Sequence, residues 1–298
     1  MVFDLYIETM ATLKDINRRI TAVKSTKQIT KAMKMVAASK LKRAQTRMIE
    51  MRPYADKMNA VLSDLAGSHE ELHPLLVQRP RQTVEILVMT SDRGLCSAFN
   101  TNILKATEKL ITEKKGENFN VNISVVGKKA RDYFKRHNVE MRNAWIDLSG
   151  KLVYSDVQTI ARDLIDNYTD EAIDEVYVVY NQFRTVMSQE VTVSKIMPME
   201  PPAETDEADE PLMSYIYEPS QQEILNQLLP KNVEVQIFRA LLESQASEEA
   251  ARMTAMENAT QAADEMISSL TLQYNKARQA SITAELMDIV GGVEALKG

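Results

Sequence analysis

Two histidines one helical turn apart have a spacing that could bind a metal. Residues His69–His73 read HEELH, the pattern in which two histidines hold zinc and the glutamate acts as the general base of a protease. That chemistry needs a continuous helix, but Gly67 and Ser68 precede the pattern and Pro74 follows it at once. We interpret the match as accidental and expect neither a metal site nor a zinc hydrolase.

A cysteine at a predicted strand-to-helix turn is the second candidate. In Ser91–Asn100 (SDRGLCSAFN), Cys96 could act as a nucleophile, and the amides of the following helix could hold an anion. In the competing interpretation, Asp92 and Gly94 form a turn and Cys96 packs as a small apolar side chain. Neither histidine of the HEELH pattern is obviously placed to activate the thiol. The packing interpretation is therefore favoured over a thiol hydrolase.

Other common sources of chemistry are missing from the sequence. Neither a G-x-x-x-x-G-K-[ST] stretch nor a G-x-G-x-x-G stretch occurs, so an α/β sheet here does not imply a nucleotide site. The single cysteine excludes an internal disulfide, and three histidines leave little material for a metal centre. We expect a non-catalytic chain with no catalytic residues, no cofactor and no direct small-molecule ligand.

The C-terminal part of the chain has the pattern of one very long helix. No glycine or proline occurs from Lys231 to Val290, and sixty helical residues would span about 90 Å. Apolar and small residues alternate at spacings of three and four, which predicts a seam that faces a partner helix. This seam consists of Met253, Met256, Thr260, Ala263, Ile267, Leu270, Tyr274 and Ala277.

The partner helix is predicted at the other end of the chain. Ala11–Ala66 contains no glycine and only one proline, Pro53, which we expect to kink the helix rather than end it. Its seam is formed by Ala44, Met48, Met51, Ala55, Met58, Leu62 and Leu65, with an upstream start at Leu13, Ile16, Ile20 and Val23.

The upstream seam has a break. Continued in heptads, it reaches Lys27, Thr30 and Lys34, so we expect it either to rotate to Ile29, Met33 and Val36 or to open. We interpret the break as a contact zone for other proteins. A local irregularity of the coiled coil is the alternative.

The middle of the chain predicts an open α/β sheet. Short β-branched runs at 83–90, 121–127, 175–181 and 191–197 predict strands, and helical stretches at 97–115, 128–137 and 153–168 separate the first three. The predicted fold class is α/β: a long antiparallel coiled coil of the terminal helices plus a Rossmann-like domain. The expected divisions are an upstream extension (1–10), a long helix (11–67), the α/β domain (82–198), an acidic proline-rich loop (199–219) and the second long helix (220–298).

Charge is distributed unevenly, which bears on the partners. The net charge is −6, yet twelve basic residues lie between Lys14 and Arg52 against only two acidic ones, which predicts an acidic protein partner. A nucleic-acid-binding coiled coil is the main alternative. It is disfavoured because no aromatic residue for base stacking lies between Ala11 and Pro53, and the cations occupy every face. No apolar run approaches a membrane span, and the first ten residues resemble neither a secretory signal nor a transit peptide.

Three stretches resemble one known family, the gamma subunits of F-type ATP synthases. Ile29–Leu41 (ITKAMKMVAASKL) resembles that family's N-terminal helix, and Ser91–Asn100 resembles its S-D-R-G-L-C-G-x-F-N turn, with Ser97 in place of the usual glycine. Ser247–Ala259 (SEEAARMTAMENA) and Tyr274–Leu296 (YNKARQASITAELMDIVGGVEAL) resemble its C-terminal signature. The resemblance covers nearly the whole chain from Met10 onward.

The resemblance implies a rotor that carries torque between an ion-driven membrane ring and a catalytic hexamer. Its implied partners are the alpha and beta subunits of the hexamer, the epsilon subunit and the ring of c subunits, with no nucleic acid. It implies a peripheral membrane protein on the cytoplasmic face of a bacterial inner membrane. By similarity, Arg278 and Gln279 would engage the catch loop of the beta subunit, with Thr283 and Glu285 in the same network. Met33 and Lys34 would face the acidic lever of the beta subunit.

Overall fold

The computed structural model describes residues 12–66, 73–80, 82–148, 152–199 and 221–295. The predicted extension at 1–10, most of the HEELH pattern and nearly all of the acidic loop at 199–219 therefore lie outside the described residues. The chain divides into two compact units. We call residues 1–36 and 254–298 the coil unit, and residues 37–253 the sheet unit.

Two long helices contribute to both units. Helix α1 spans Leu13–Ala66 and continues through Pro53, as predicted. It begins with a capping box, since the Asp15 amide donates to Thr12 Oγ1 and the Thr12 amide donates to Asp15 Oδ2. Helix α5 spans Gln221–Ala295 and contains Pro230.

The sheet unit contains five strands and three further helices. The strands are β1 (Thr83–Met89), β2 (Asn120–Val126), β3 (Asn143–Trp145), β4 (Glu175–Phe183) and β5 (Gln189–Met197). The helices are α2 (Phe99–Gly116), α3 (Lys128–Arg136) and α4 (Tyr154–Thr169). The sheet order is β3-β2-β1-β4-β5, and every neighbouring pair is parallel except β4 and β5. The predicted α/β fold class is confirmed, while the short strand β3 was not predicted.

The sheet is covered on both faces, which explains the nearly continuous apolar run of β1. Leu87 and Met89 pack in one cluster with α4 and the first part of α5, whereas Ile86 and Val88 pack on the opposite face against α2. A parallel strand with helices on both sides must be apolar at successive positions rather than at alternate ones. β1 is therefore the centre of the fold and positions the turn that follows it.

One charged residue interrupts that central strand. Glu85 is fully buried and its Oε2 accepts a hydrogen bond of 3.1 Å from Arg142 Nε. Arg142 also donates to Asp163 of α4 at 2.5 Å. Burial raises the pKa of the Glu85 carboxyl, although the hydrogen bond from Arg142 opposes the shift. This partly buried network joins α4 to the central strand of the sheet.

Within each unit, α1 and α5 run antiparallel. In the coil unit, Ile16, Ile20, Met256 and Ala263 are buried, as the predicted seams require. In the sheet unit, one cluster of buried side chains from the two helices consists of small and medium residues: Leu41, Ala44, Ala246 and Ala250. The predicted antiparallel coiled coil is confirmed.

Candidate partner-contact surfaces

The Cys96 turn is built for packing rather than for nucleophilic attack. Cys96 is buried, and Asn100 Nδ2 donates to its Sγ at 3.2 Å. Burial raises the pKa of the Cys96 thiol, and the nearby Glu248 carboxylate raises it further. Because the thiolate is the reactive form, this cysteine is a poor nucleophile at neutral pH.

The crevice at the ends of β1 and β2, where doubly wound folds bind phosphates, is filled by the chain itself. At the start of α3, the Lys128 amide donates to Asp92 Oδ1 at 3.0 Å and the Ala130 amide donates to Thr90 Oγ1 at 2.9 Å. The Lys129 amide between them donates to the Ser91 carbonyl at 3.1 Å. Gly127 has a φ of 95°, and a Cβ there would lie 2.2 Å from the Thr90 carbonyl oxygen. These amides are thus occupied by protein oxygens.

Of the HEELH histidines, only His73 lies among the described residues. Its Nδ1 accepts a hydrogen bond of 3.1 Å from the Leu75 amide at the start of a short 3-10 turn, and burial lowers its pKa. In the described part of the chain, no cluster of three or more histidine, cysteine or acidic side chains could hold a metal ion. No helix in that part is long and apolar enough to cross a membrane.

The Cys96 turn instead contacts α5 within the sheet unit. Arg252 Nη2 donates to the Gly94 carbonyl at 3.4 Å and to Glu248 Oε1 at 2.6 Å. Arg252 Nη1 lies 2.9 Å from Glu249 Oε2. Burial alone would lower the pKa of Arg252, but the two carboxylates outweigh it and raise that pKa above its ordinary value. The sequence did not predict this contact.

In the coil unit, the seam of α1 neither rotates nor opens at the predicted break, so that expectation is wrong. Ile29 and Val36 are 59% and 57% exposed, while Thr30 is buried. The seam stays in heptad register because its polar residues find partners on α5. Thr30 Oγ1 lies 2.8 Å from Thr260 Oγ1, Lys34 Nζ lies 2.5 Å from Glu257 Oε1, and Lys27 pairs with Asp264.

The four predicted contact residues of α5 lie together near its end. All four side chains are exposed: Arg278, Gln279, Thr283 and Glu285. Thr283 Oγ1 donates to the Gln279 carbonyl at 2.9 Å, and Ser281 Oγ donates to Glu285 Oε1 at 3.3 Å. The Arg278 guanidinium and the Gln279 amide thus form an exposed group of hydrogen-bond donors on one helical turn.

The two predicted contact residues of α1 form a separate patch. Met33 is partly buried, and the Lys34 ammonium is already paired with Glu257. Arg278 follows Glu257 by twenty-one helical residues, so about 30 Å separates the two patches along α5. One partner loop could not contact both of them.

A larger exposed apolar surface lies near the end of α5, and none of its apolar residues was among the predicted contact residues. Every side chain from Ile282 to Val293 is exposed. In this stretch the large exposed apolar residues are Ile282, Leu286, Met287, Ile289, Val290 and Val293. The pairing of Lys34 with Glu257 places Leu13, the first residue of α1, opposite residue 278. In the sequence, apolar residues continue on α5 beyond residue 278, where α1 has no residue to cover them, and this pattern could have predicted the surface.

Comparisons with known proteins agree with this architecture. The chain matches the family described as ATP synthase over residues 12–296. It is 50% identical to the ATP synthase gamma chain of Trichlorobacter lovleyi, covering 97% of this chain and 100% of the relative. It is 49% identical to the ATP synthase gamma chain of Geobacter metallireducens, with the same coverage of both chains.

Solved structures resemble it as well. One is the central stalk and c-ring structure of the Tetrahymena thermophila mitochondrial ATP synthase, with a TM-score of 0.58 and 25% identity over 78% of this chain and 99% of that one. Another is the rotor of the Euglena gracilis mitochondrial ATP synthase, with a TM-score of 0.64 and 19% identity over 91% and 98% of the two chains. The chain belongs to the family of ATP synthase gamma chains, the non-catalytic rotor subunit of the central stalk.

Proposed function

We propose that this chain transmits torque between an ion-driven ring of c subunits and a catalytic hexamer of alpha and beta subunits. In this proposal the end of α5 lies inside the hexamer, and the α/β domain faces the c-ring and the epsilon subunit. The complex holds the chain at the cytoplasmic face of a bacterial inner membrane as a peripheral protein. ATP synthesis or hydrolysis takes place in the hexamer.

The exposed apolar stretch from Ile282 to Val293 is the observation that carries the proposal. Six large apolar side chains on about three helical turns are an unusual surface for a chain that functions alone. An enclosing sleeve would remove that surface from water and could still permit rotation, because apolar contacts are not directional. A catalytic hexamer around a central helix provides such a sleeve.

The electrostatics of α1 also support the proposal. Most of the basic side chains between Lys14 and Lys31 are exposed in the coil unit, whereas Lys34 shares its charge with Glu257. A ring of acidic levers on the beta subunits would attract these cations without binding any one of them tightly, since exposed ion pairs are weak. Lys34 would then exchange between Glu257 and an acidic lever during rotation.

The contact with the beta subunit is proposed to be directional at the other patch. Arg278 presents a rigid fork of donors and Gln279 presents an amide, and neither side chain is buried within the chain. Charge-assisted hydrogen bonds to a partner loop would therefore form and break as the helix turns. Thr283 and Glu285 would extend the same contact one turn further.

Reconstitution with alpha and beta subunits tests this function. ATP hydrolysis and rotation should require the chain, and an Arg278→Ala/Gln279→Ala variant should reduce turnover about tenfold if it removes about 1.4 kcal/mol of charge-assisted hydrogen bonding. Lys276→Ala is the matched control, because Lys276 is an exposed cation only two residues away. Failure of the wild-type chain to assemble with the hexamer would overturn the proposal. An equal effect of the control would overturn the assignment of the contact residues.

A further inference from the structure

A cluster of three buried charges and one partly exposed lysine, Lys40, joins three elements of the sheet unit. The side chains of Arg252, Glu248 and Glu249 on α5 are 9%, 7% and 5% exposed. Arg252 reaches the carbonyl of Gly94 in the turn after β1, and Lys40 Nζ of α1 lies 3.3 Å from Glu249 Oε1. The cluster therefore holds α1, α5 and the turn together through two cations and two carboxylates.

A second tie lies one residue before the cluster. Ser247 is fully buried, and its Oγ donates to the Asn181 carbonyl of β4 at 3.0 Å. The side chain of Asn181 in turn donates to the Phe99 carbonyl, at the start of α2, at 3.3 Å. Over six residues, Ser247 to Arg252, one stretch of α5 is thus hydrogen-bonded or ion-paired to the strand β4 and to the Cys96 turn.

The buried apolar contacts between α1 and α5 at the same level should resist rotation of the helix only weakly. Ala246 and Ala250 face Leu41 and Ala44 of α1, and alanine side chains are short and smooth. Dispersion between such groups changes little when one helix turns slightly against the other. A buried charge behaves differently, because displacing one partner leaves the other desolvated without a counter-charge. The polar ties should therefore resist twist more strongly than these alanine contacts do.

We propose that Arg252, with Glu248, Glu249 and Lys40, is the clamp that passes rotation between α5 and the α/β domain. The inference rests on the proposed function, since it presumes that the chain carries torque. Because α5 is one helix from Gln221 to Ala295, twist applied near its end reaches Arg252 along the backbone. Arg252 is a positioning residue here. It donates a hydrogen bond to the Gly94 carbonyl and so makes the α/β domain rotate together with the helix.

The test compares coupling in the whole ATP synthase reconstituted in liposomes. ATP hydrolysis and ATP-driven proton pumping are measured together for the wild-type chain, Arg252→Gln and Arg252→Lys. The control is Arg239→Gln, because Arg239 also pairs with a glutamate four residues along α5 but has a side chain that is 58% exposed. The readout is the ratio of protons pumped to ATP hydrolysed by complexes purified with all their subunits, because hexamer without the ring would hydrolyse ATP without pumping.

Arg252→Gln should lower that ratio by at least about twofold, the low end of the range for mutations within a coupling network. Arg252→Lys keeps the charge without the fork and should give a smaller decrease, and Arg239→Gln should match the wild type. A wild-type ratio in both Arg252 variants would overturn the clamp. If Arg252→Gln fails to assemble, the decision rests on Arg252→Lys alone: a lowered ratio supports the clamp and an unchanged one overturns it. Absence of pumping by the wild-type complex would instead refute the proposed function.

Discussion

Valine substitutions at Thr30 and Thr260 test how the polar layers hold the coil unit together. The two hydroxyl oxygens lie 2.8 Å apart, and Thr30 is only 8% exposed. Each hydroxyl also has an acceptor on its own helix, the Lys27 carbonyl at 3.0 Å and the Met256 carbonyl at 2.7 Å. Only one hydroxyl can donate across the helices, and it does so in place of its local bond. The contact therefore adds no donated hydrogen bond but gives the second oxygen a partner, which is worth at most about 1 kcal/mol.

This geometry gives different expectations for single and double variants. Thr30→Val or Thr260→Val leaves one hydroxyl facing a methyl group, at a cost of about 1 kcal/mol. The double variant places two methyl groups of the same shape in contact and should be nearly neutral. The coupling energy from the double-mutant cycle is then about 1 kcal/mol. For the half-exposed Lys34–Glu257 pair, the corresponding coupling should be only about 0.5 kcal/mol.

Hydrogen exchange of the purified chain measures these energies locally. Under conditions in which exchange follows the opening equilibrium, peptides covering 24–36 and 254–266 should exchange about fivefold faster in each single variant. The double variant should return close to the wild-type rate. Additive effects in the double variant would refute a direct contact between the two hydroxyls. Unchanged rates in all three variants would show that the helices are not paired at this position.

Further predictions concern the sheet unit and α5. Gly127→Ala should destabilise the fold by several kcal/mol in chemical denaturation, because the added Cβ would lie 2.2 Å from a backbone oxygen; a loss under about 1 kcal/mol would contradict the close approach. Cys96 should react with alkylating reagents at neutral pH at least about tenfold more slowly in the native chain than in denaturant, since burial raises its pKa; equal rates would contradict that burial. Because burial raises the pKa of Glu85, the folded chain binds its proton more tightly than the unfolded chain does. The stability of the wild type relative to Glu85→Gln should therefore fall as the pH rises from the ordinary pKa of glutamate through the raised pKa. A stability difference that is independent of pH, or that grows with pH, would contradict this sign. Glycines at Met266 and Ile267 should soften α5 by about 1 kcal/mol of helix propensity each and lower ATP synthesis in the complex, and unchanged synthesis would count against a stiff shaft.

The sequence predicted the long helices and their seams well because apolar periodicity reports directly which side of a helix is covered. Met256 and Ala263 on α5 and Ile16 and Ile20 on α1 are buried where the spacing placed them. The four longer strands also follow from their β-branched runs. The short strand β3 (Asn143–Trp145) was missed because three residues carry too little pattern to separate a strand from a loop.

The error at the break in the seam has a physical cause. A prediction that considers only apolar residues cannot continue the heptad register through Thr30 and Lys34. In the structure, Thr260 and Glu257 of the other helix pair with these two residues and stabilise that register. Those partners are more than two hundred residues away in the sequence. The contact between Arg252 and Gly94 could not be predicted from the sequence for the same reason, because the two residues are far apart in the chain. The proposed contact residues for a beta subunit rest on a family resemblance, because an exposed Arg278 alone does not distinguish a contact site from an ordinary solvated surface.

The internal hydrogen bonds at the start of α3 have a consequence for the environment in which such a chain operates. In the proposed function the chain turns inside a hexamer that exchanges ATP and ADP, and its own sheet resembles the doubly wound sheets that bind nucleotides in other proteins. Asp92 and Thr90 already satisfy the amides of Lys128 and Ala130, so a passing phosphate would have to displace a carboxylate and a hydroxyl that are covalently part of the chain. The stiffness of the domain should therefore not depend on the concentrations of ATP and ADP in the cell.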